Sequence, residues 1–355
     1  WVRLFFVGMT RAKQDLLITY SQQSLTGKDL SPAAFLTATS LEEQLISSNS
    51  QQPSSALQAD MQAWYAPIVQ LPQPTMREFL QYRLDHFALS ATALNTYLDI
   101  SRGGPADFLL YNLLGFPRRW HAAAEYGTAV HATIKQAHTY FIAHGTPQPL
   151  AESLHFFTAT LQRSPLRGEE LETLLAQGQA ELSTFLPHLE TTFTPHQKTE
   201  LSFAHQQCYI GNARLTGTLD AVDIDAKQKT LIITDYKTGK PVTSWKGGKN
   251  HNALKLHAYR RQLLFYTLLA GSSRDYHSFT VQQAQLRFVR QTPEGEFATL
   301  ATQFTEEELA RGKALIQAVW QAIFAAGFTQ PEHTKATLAS VIAFEDELIA
   351  RYPAA

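Results

Sequence analysis

Over 213–237 the chain carries two apolar runs, 213–224 and 230–236, separated by the short polar turn Asp225-Ala226-Lys227-Gln228. Such runs, rich in β-branched residues and bounded by turn formers, mark strands, and a turn this short joins them as an antiparallel hairpin. Helical spacing lies on both sides. Val130, Ile134, Ala137 and Phe141 recur every three or four residues within 122–143, closed off by Pro147 and Pro149, with His131 at the edge of the buried stripe. Further helix is expected over 150–189, broken at Pro165 and Pro187, then strand over 200–207. Helix returns over 251–269, strand over 282–290, a hairpin at Pro293-Glu294-Gly295, and helices over about 306–326 and 338–351. The order helix, three strands, helix, strand predicts an α/β fold: a small mixed β-sheet flanked by helices, with additional helices.

The 355 residues, 44% of them hydrophobic, can fill a sizeable core and allow two domains. No run of eighteen apolar residues could span a bilayer, so no membrane partner is expected. The opening Trp1-Val2-Arg3-Leu4-Phe5-Phe6-Val7 has neither an initiator Met nor the layout of a leader peptide, and is expected to be part of something longer. A lone cysteine, Cys208, excludes an intrachain disulfide, a Cys-rich zinc site and an iron–sulfur cluster held by four thiolates of this chain. It fits a reducing cytoplasm.

Residues 47–55, Ser-Ser-Asn-Ser-Gln-Gln-Pro-Ser-Ser, have nothing to bury and read as a linker, with Pro67, Pro72 and Pro74 keeping the next stretch irregular until about 84–98. The expected layout is 1–25, a linker over 26–85 that is partly flexible, and a main module over 86–355. A net charge of −1 gives no sign of a polyanionic partner, but its distribution does. Between Lys237 and Arg261 stand Lys237, Lys240, Lys246, Lys249, Lys255, Arg260 and Arg261 and no acid. That segment is expected to concentrate positive potential, and Gly247 and Gly248 within it suggest a mobile loop.

The chemistry centres on the hairpin. Asp235 and Lys237, two apart on a strand, project to one side. Asp220, on the preceding strand, can come near Asp235 by pairing. Close carboxylates repel and invite a divalent cation, and hard oxygen ligands suit Mg²⁺ or Mn²⁺. A lysine beside them can orient a water and stabilise charge on a phosphate, which suits phosphodiester hydrolysis. Asp-x-Lys alone is ordinary surface charge.

Its surroundings are more specific. Leu215-Thr216-Gly217-Thr218-Leu219-Asp220-Ala221-Val222-Asp223, followed by Ile232-Ile233-Thr234-Asp235-Tyr236-Lys237-Thr238-Gly239-Lys240, resembles the core of RecB-like nuclease domains of the PD-(D/E)XK type. Gly127-Thr128-Ala129-Val130-His131 resembles that family's Gly-x-x-x-His, and Gln262 with Tyr266 its Gln-x-x-x-Tyr. The run 89–97 resembles the opening Ser-x-x-x-Leu of such domains. The resemblance implies a restriction-endonuclease-like core over 86–355, with Asp220, Asp235 and Lys237 catalytic. It implies His131, Asp220 and Asp235 as ligands of Mg²⁺ or Mn²⁺. Gln262, Tyr266, Lys240, Lys246 and Lys249 would lie against DNA, with Trp245 and Tyr259 available to stack on unpaired bases. Glu200 matches a recurrent family glutamate, but its strand position reads as an exposed acid. The family's four-cysteine iron–sulfur version is excluded by the single Cys208.

A second resemblance covers 4–13, Leu-Phe-Phe-Val-Gly-Met-Thr-Arg-Ala-Lys, which is similar to motif VI of UvrD-like superfamily 1 helicases. It implies that 1–25 is a remnant of a second RecA-like domain whose Arg11 reaches the ATP γ-phosphate in a parent helicase. No Gly-x-x-x-x-Gly-Lys-[Ser/Thr] occurs, so ATP belongs only to that parent. Partners implied are DNA as single strands or unwound ends, the motor domains of the same parent chain and, as an open alternative, a second subunit. The place implied is a bacterial-type cytoplasm, at the nucleoid. Two readings compete with a nuclease for DNA repair or recombination. One is an inactive nuclease-like module that binds DNA or a partner subunit. The other is a small-molecule hydrolase, which no Gly-x-Ser-x-Gly or His-Glu-x-x-His supports.

Overall fold

The computed structural model describes residues 2–14, 16, 18, 20–24, 27–32, 75–117, 121–247, 250–329 and 336–353. Lys249 and Gly248, the expected linker 47–55, Pro67, Pro72, Pro74, Leu17 and Thr19 lie outside the described residues. The chain divides into two compact units, Trp1–Pro72 and Gln73–Ala355.

In the first unit, helix α1 (Val2–Met9) takes the apolar start of the chain, and exposed Arg11 follows in the turn after it. Leu16, Ile18 and Tyr20 lie in no strand.

The second unit opens on α2 (Met76–His86), earlier than the sequence periodicity suggests. Thr75 caps it in a reciprocal box with Glu78, and Leu80 and Leu84 are its buried face. Then come α3 (Ala91–Leu98), capped by Ser90, and α4 (Gly104–Phe108), which runs on into one π-helical stretch at Leu109–Leu113. Three helices follow: α5 (Ala122–His144), α6 (Leu150–Gln162) and α7 (Gly168–Glu190). Pro187 does not break α7 as expected. It sits in the last turn, where one lost backbone bond weighs little against the burial of Leu186 and Leu189, each worth roughly 1.5–3 kcal/mol.

The strands are β1 (Gln197–Ser202), β2 (Cys208–Ile210), β3 (Ala213–Leu215), β4 (Thr218–Asp225), β5 (Thr230–Lys237), β6 (Thr280–Gln291) and β7 (Phe297–Thr302). β1, β4, β5, β6 and β7 form one sheet in that order, while β2 and β3 pair apart from it. The run 213–224 is therefore two strands, interrupted at Thr216 and Gly217. A Cβ on Gly217 would stand 2.8 Å from Leu269 Cδ2, so the break admits a closely packed helix. The pair β5–β6 is parallel and all other pairs in the sheet are antiparallel. Parallel neighbours need a long crossover, supplied by α8 (Asn250–Gly271). Helices α9 (Glu306–Phe324) and α10 (Leu338–Arg351) complete the unit.

The alternation of β4 and β5 sends their side chains into two cores. Val222, Leu231 and Ile233 join α3, α8, α9 and α10, while Ala221 and Tyr236 join α5, α6 and α7. The expected mixed α/β sheet flanked by helices is the observed one.

Candidate active site

Three carboxylates come level across neighbouring strands. The register pairs Thr199 with Ala221 and Leu201 with Leu219, which sets Glu200 opposite Asp220. Extending the pairing of Ala221 with Thr234 sets Asp220 opposite Asp235. Like charges facing each other across a sheet are destabilising, so this row is unfavourable unless a cation compensates it. Glu200 also holds φ +49, a left-handed backbone that costs a residue with a Cβ on the order of 1–3 kcal/mol.

His131 on α5 reaches the row from the helical side. Its Nδ1 lies 3.4 Å from Asp220 Oδ2, and its Nε2 lies 3.1 Å from the Tyr236 carbonyl. The Tyr236 backbone N–H donates to Asp220 Oδ2 at 2.8 Å, which fixes that carboxylate. His131, Glu200 and Asp220 each offer a ligand atom, all within 4.8 Å of one another and all half-buried. Burial lowers the His131 pKa, but the carboxylates of Asp220, Asp235 and Glu200 outweigh it and the net direction is up. Burial and Asp220 raise Glu200. An imidazole and two hard carboxylates, brought within ligand distance of one another, are a donor set that fits a divalent cation.

Asp235 is buried beside this cluster and turned the other way. Lys237 Nζ stands 2.7 Å from Asp235 Oδ2, and Gln262 Nε2 donates to Asp235 Oδ1 at 3.0 Å. Gln262 Oε1 accepts from Lys237 Nζ at 2.8 Å, and Nε2 also donates to the Tyr266 hydroxyl at 2.8 Å. The Tyr259 ring lies under the ammonium, 4.6 Å from Nζ. Burial would lower the Lys237 pKa, yet the Asp235 carboxylate raises it on balance and keeps the ammonium charged. Burial raises Asp235, opposed by Lys237.

His131, Asp220, Asp235, Lys237, Gln262 and Tyr266 are thus brought together. Tyr266 is buried and meets the site through Gln262. Lys240 and Lys246 are exposed in the segment after β5, and Lys249 is outside the described residues. Two expectations need correction. Glu200 is no exposed strand acid: it is half-buried and faces Asp220. The cations of 237–261 are not all free either, because Arg260 pairs with Glu308 and buried Arg261 with Glu345. Trp245 donates its indole N–H to the Ala301 carbonyl at 2.7 Å, against the edge of the sheet.

A mixed five-stranded sheet between helical layers, with an Asp-x-Lys pair on a central strand, defines the restriction-endonuclease-like fold class. The family model for the PD-(D/E)XK nuclease superfamily matches residues 88–337, and the chain belongs to that superfamily. Membership points to a hydrolytic nuclease. A crystal structure from Eubacterium rectale, of a protein provisionally designated an exonuclease, is similar at 11% sequence identity with a TM-score of 0.48. The match covers 75% of this chain and 92% of that one. No curated protein sequence matches the chain. Among the described residues no helix is long and apolar enough to cross a membrane.

Proposed function

We propose that this chain is a metal-dependent deoxyribonuclease, the nuclease part of an ATP-dependent helicase–nuclease that acts in DNA repair or recombination. The observation that carries the reading is the row Glu200, Asp220 and Asp235 with His131 at one side and Lys237 at the other. His131, Glu200 and Asp220 would hold Mg²⁺ or Mn²⁺, and Asp235, on the strand facing Asp220, would be a further ligand. Bound there, the cation would supply Lewis-acid polarisation of a phosphoryl oxygen and a more acidic water.

The chain's own groups do the rest. His131 presents Nε2 to the Tyr236 carbonyl, so the neutral ring that donates this proton turns the lone pair of Nδ1 toward Asp220. Lys237, held charged by Asp235, stabilises negative charge on the phosphate under attack and orients the water. Gln262 fixes both ends of that pair. An open groove of about 700 Å³ between α3 and α8 reaches Gln262 and is lined in part by Thr92, Asn95, Lys255 and Tyr259. It offers a path for a strand, with Lys255 in its lining, and the exposed Lys240 and Lys246 would add phosphate contacts. The helicase parent is supported by the 4–13 string with Arg11, and with it ATP, delivery of unwound ends, a second subunit as an open option, and a place at the nucleoid.

The test is incubation of the purified chain with labelled single- and double-stranded DNA in Mg²⁺, Mn²⁺ or chelator, beside Asp235→Ala and Lys237→Ala. Cleavage should need the metal and vanish in both variants. Binding without cutting under every metal would replace this reading with that of an inactive DNA- or partner-binding module.

A further inference from the structure

Helix α10 begins at Leu338, just past the segment that the family model matches, and its Glu345 is buried at a junction of four helices. Its Oε1 accepts from His257 Nε2 at 2.8 Å and from Arg261 Nη1, which are one turn apart on α8. Its Oε2 lies 3.5 Å from Arg311 Nη2 on α9. Arg261 in turn donates from Nε to Asn95 Oδ1 on α3 at 2.7 Å, and Asn95 Nδ2 donates to the Ala258 carbonyl at 3.3 Å.

A buried guanidinium cannot shed its proton and is tolerated only beside a fixed counter-charge. Glu345 is the carboxylate in contact with Arg261 among the described residues. Two donors on successive turns of one helix, both held by a single oxygen, fix that helix along its axis and about it. The next residue after Arg261 is Gln262, about 100° further round the helix, and its amide holds Asp235 and Lys237.

We infer that Glu345 is a positioning residue for the nuclease site: by seizing His257 and Arg261 it sets the rotation of α8 and so aims Gln262 at the Asp235–Lys237 pair. The inference rests on the proposed function for its catalytic consequence but not for its geometric one. Neighbouring Arg260 supplies a contrast, because its partner Glu308 is more than a third exposed and belongs to a surface pair.

Two readouts on the purified chain separate these claims. In ¹⁵N-labelled protein, the Gln262 side-chain amide, assigned by its loss in Gln262→Ala, should be protected from exchange. It should lose that protection in Glu345→Gln and keep it in Glu308→Gln. In the cleavage assay, Glu345→Gln should lower kcat about tenfold with KM within twofold, and should add nothing further in a Gln262→Ala background. If Glu345→Gln does not fold, the double variant Arg261→Met with Glu345→Met restores apolar packing without the charges. It should fold, yet still release Gln262. A Gln262 amide that stays protected in either variant overturns the inference, whether or not the chain cuts DNA. A strictly additive effect of the Glu345 and Gln262 variants on kcat overturns it as well. A wild-type chain that never cuts sinks the nuclease reading alone and leaves the exchange measurement to decide.

Discussion

The side-chain oxygen of Gln262 accepts a hydrogen bond from the Lys237 ammonium at 2.8 Å, while the nitrogen of the same amide donates to Asp235. A side-chain amide carries its acceptor and its donors on separate atoms, so it can present an acceptor to the cation and a donor to the anion at once. Gln262→Ala should therefore lower the cleavage rate about ten- to a hundredfold, in the range of lost supporting contacts around metal sites. Calorimetric affinity for Mn²⁺ should stay close to wild type, because His131, Glu200 and Asp220 are untouched; a parallel collapse of Mn²⁺ affinity would contradict the assignment.

Glu200 faces Asp220 with the same charge, and burial together with that charge pushes the Glu200 carboxyl upward. In chelator, Glu200→Gln should stabilise the fold by roughly 0.2–1 kcal/mol, the range for facing charges, seen as a melting temperature raised by about 1–3 °C. In excess Mn²⁺ the ranking should reverse. Wild type, at about a hundred times its dissociation constant, gains roughly 2.7 kcal/mol, and the variant gains far less. A variant melting at the same temperature as wild type in both buffers would remove Glu200 from the metal site.

How far the site could be read from the chain depends on how far apart its parts lie in it. Asp235 and Lys237 were legible because a strand's period of two puts them on one side, and Gln262 and Tyr266 because a helix brings i and i+4 together. Glu200 was not. Its placement depends on a cross-strand register and on a left-handed backbone at a residue with a Cβ, and nothing local in Thr199-Glu200-Leu201 announces either. The basic segment misled for a similar reason: the acids that occupy Arg260 and Arg261 lie 48 and 84 residues further on. Pro187 misled in the opposite sense, since a local rule met tertiary packing at a helix end and lost.

Acid should weaken the junction at Glu345. Burial alone would raise this carboxyl, but the hydrogen bond from His257 and the charge of Arg261 more than reverse it, so its pKa is lowered in the folded chain. A free Glu titrates near about 4.3. The stabilisation is therefore complete above that value and is lost as pH falls through the lower, folded one. Urea midpoints measured from about pH 5 down to about pH 3 should fall more steeply for wild type than for Glu345→Gln. Parallel curves would show that the carboxylate contributes no linkage.

The helical layer under Tyr236 has its own tight spot. A Cβ on Gly178 in α7 would come 2.1 Å from Cζ of Phe157, a ring buried completely on α6. Alanine ordinarily gains about 0.5–1 kcal/mol over glycine inside a helix, but overpacking a buried ring costs typically 1–3 kcal/mol. Gly178→Ala should thus destabilise, read as a lower denaturant midpoint with an unchanged slope. A gain in stability would mean that α6 and α7 can part without penalty.

Because α8 is the crossover between the parallel strands β5 and β6, the helix that bears Gln262 is tethered at both ends to the sheet that bears Asp235 and Lys237. For protein engineering the Asp235–Lys237 pair and its amide therefore travel together only in the whole span from β4 through β6, not in the Asp-x-Lys hairpin. A graft of the hairpin alone would carry the charges to a new scaffold and leave behind the amide that holds them.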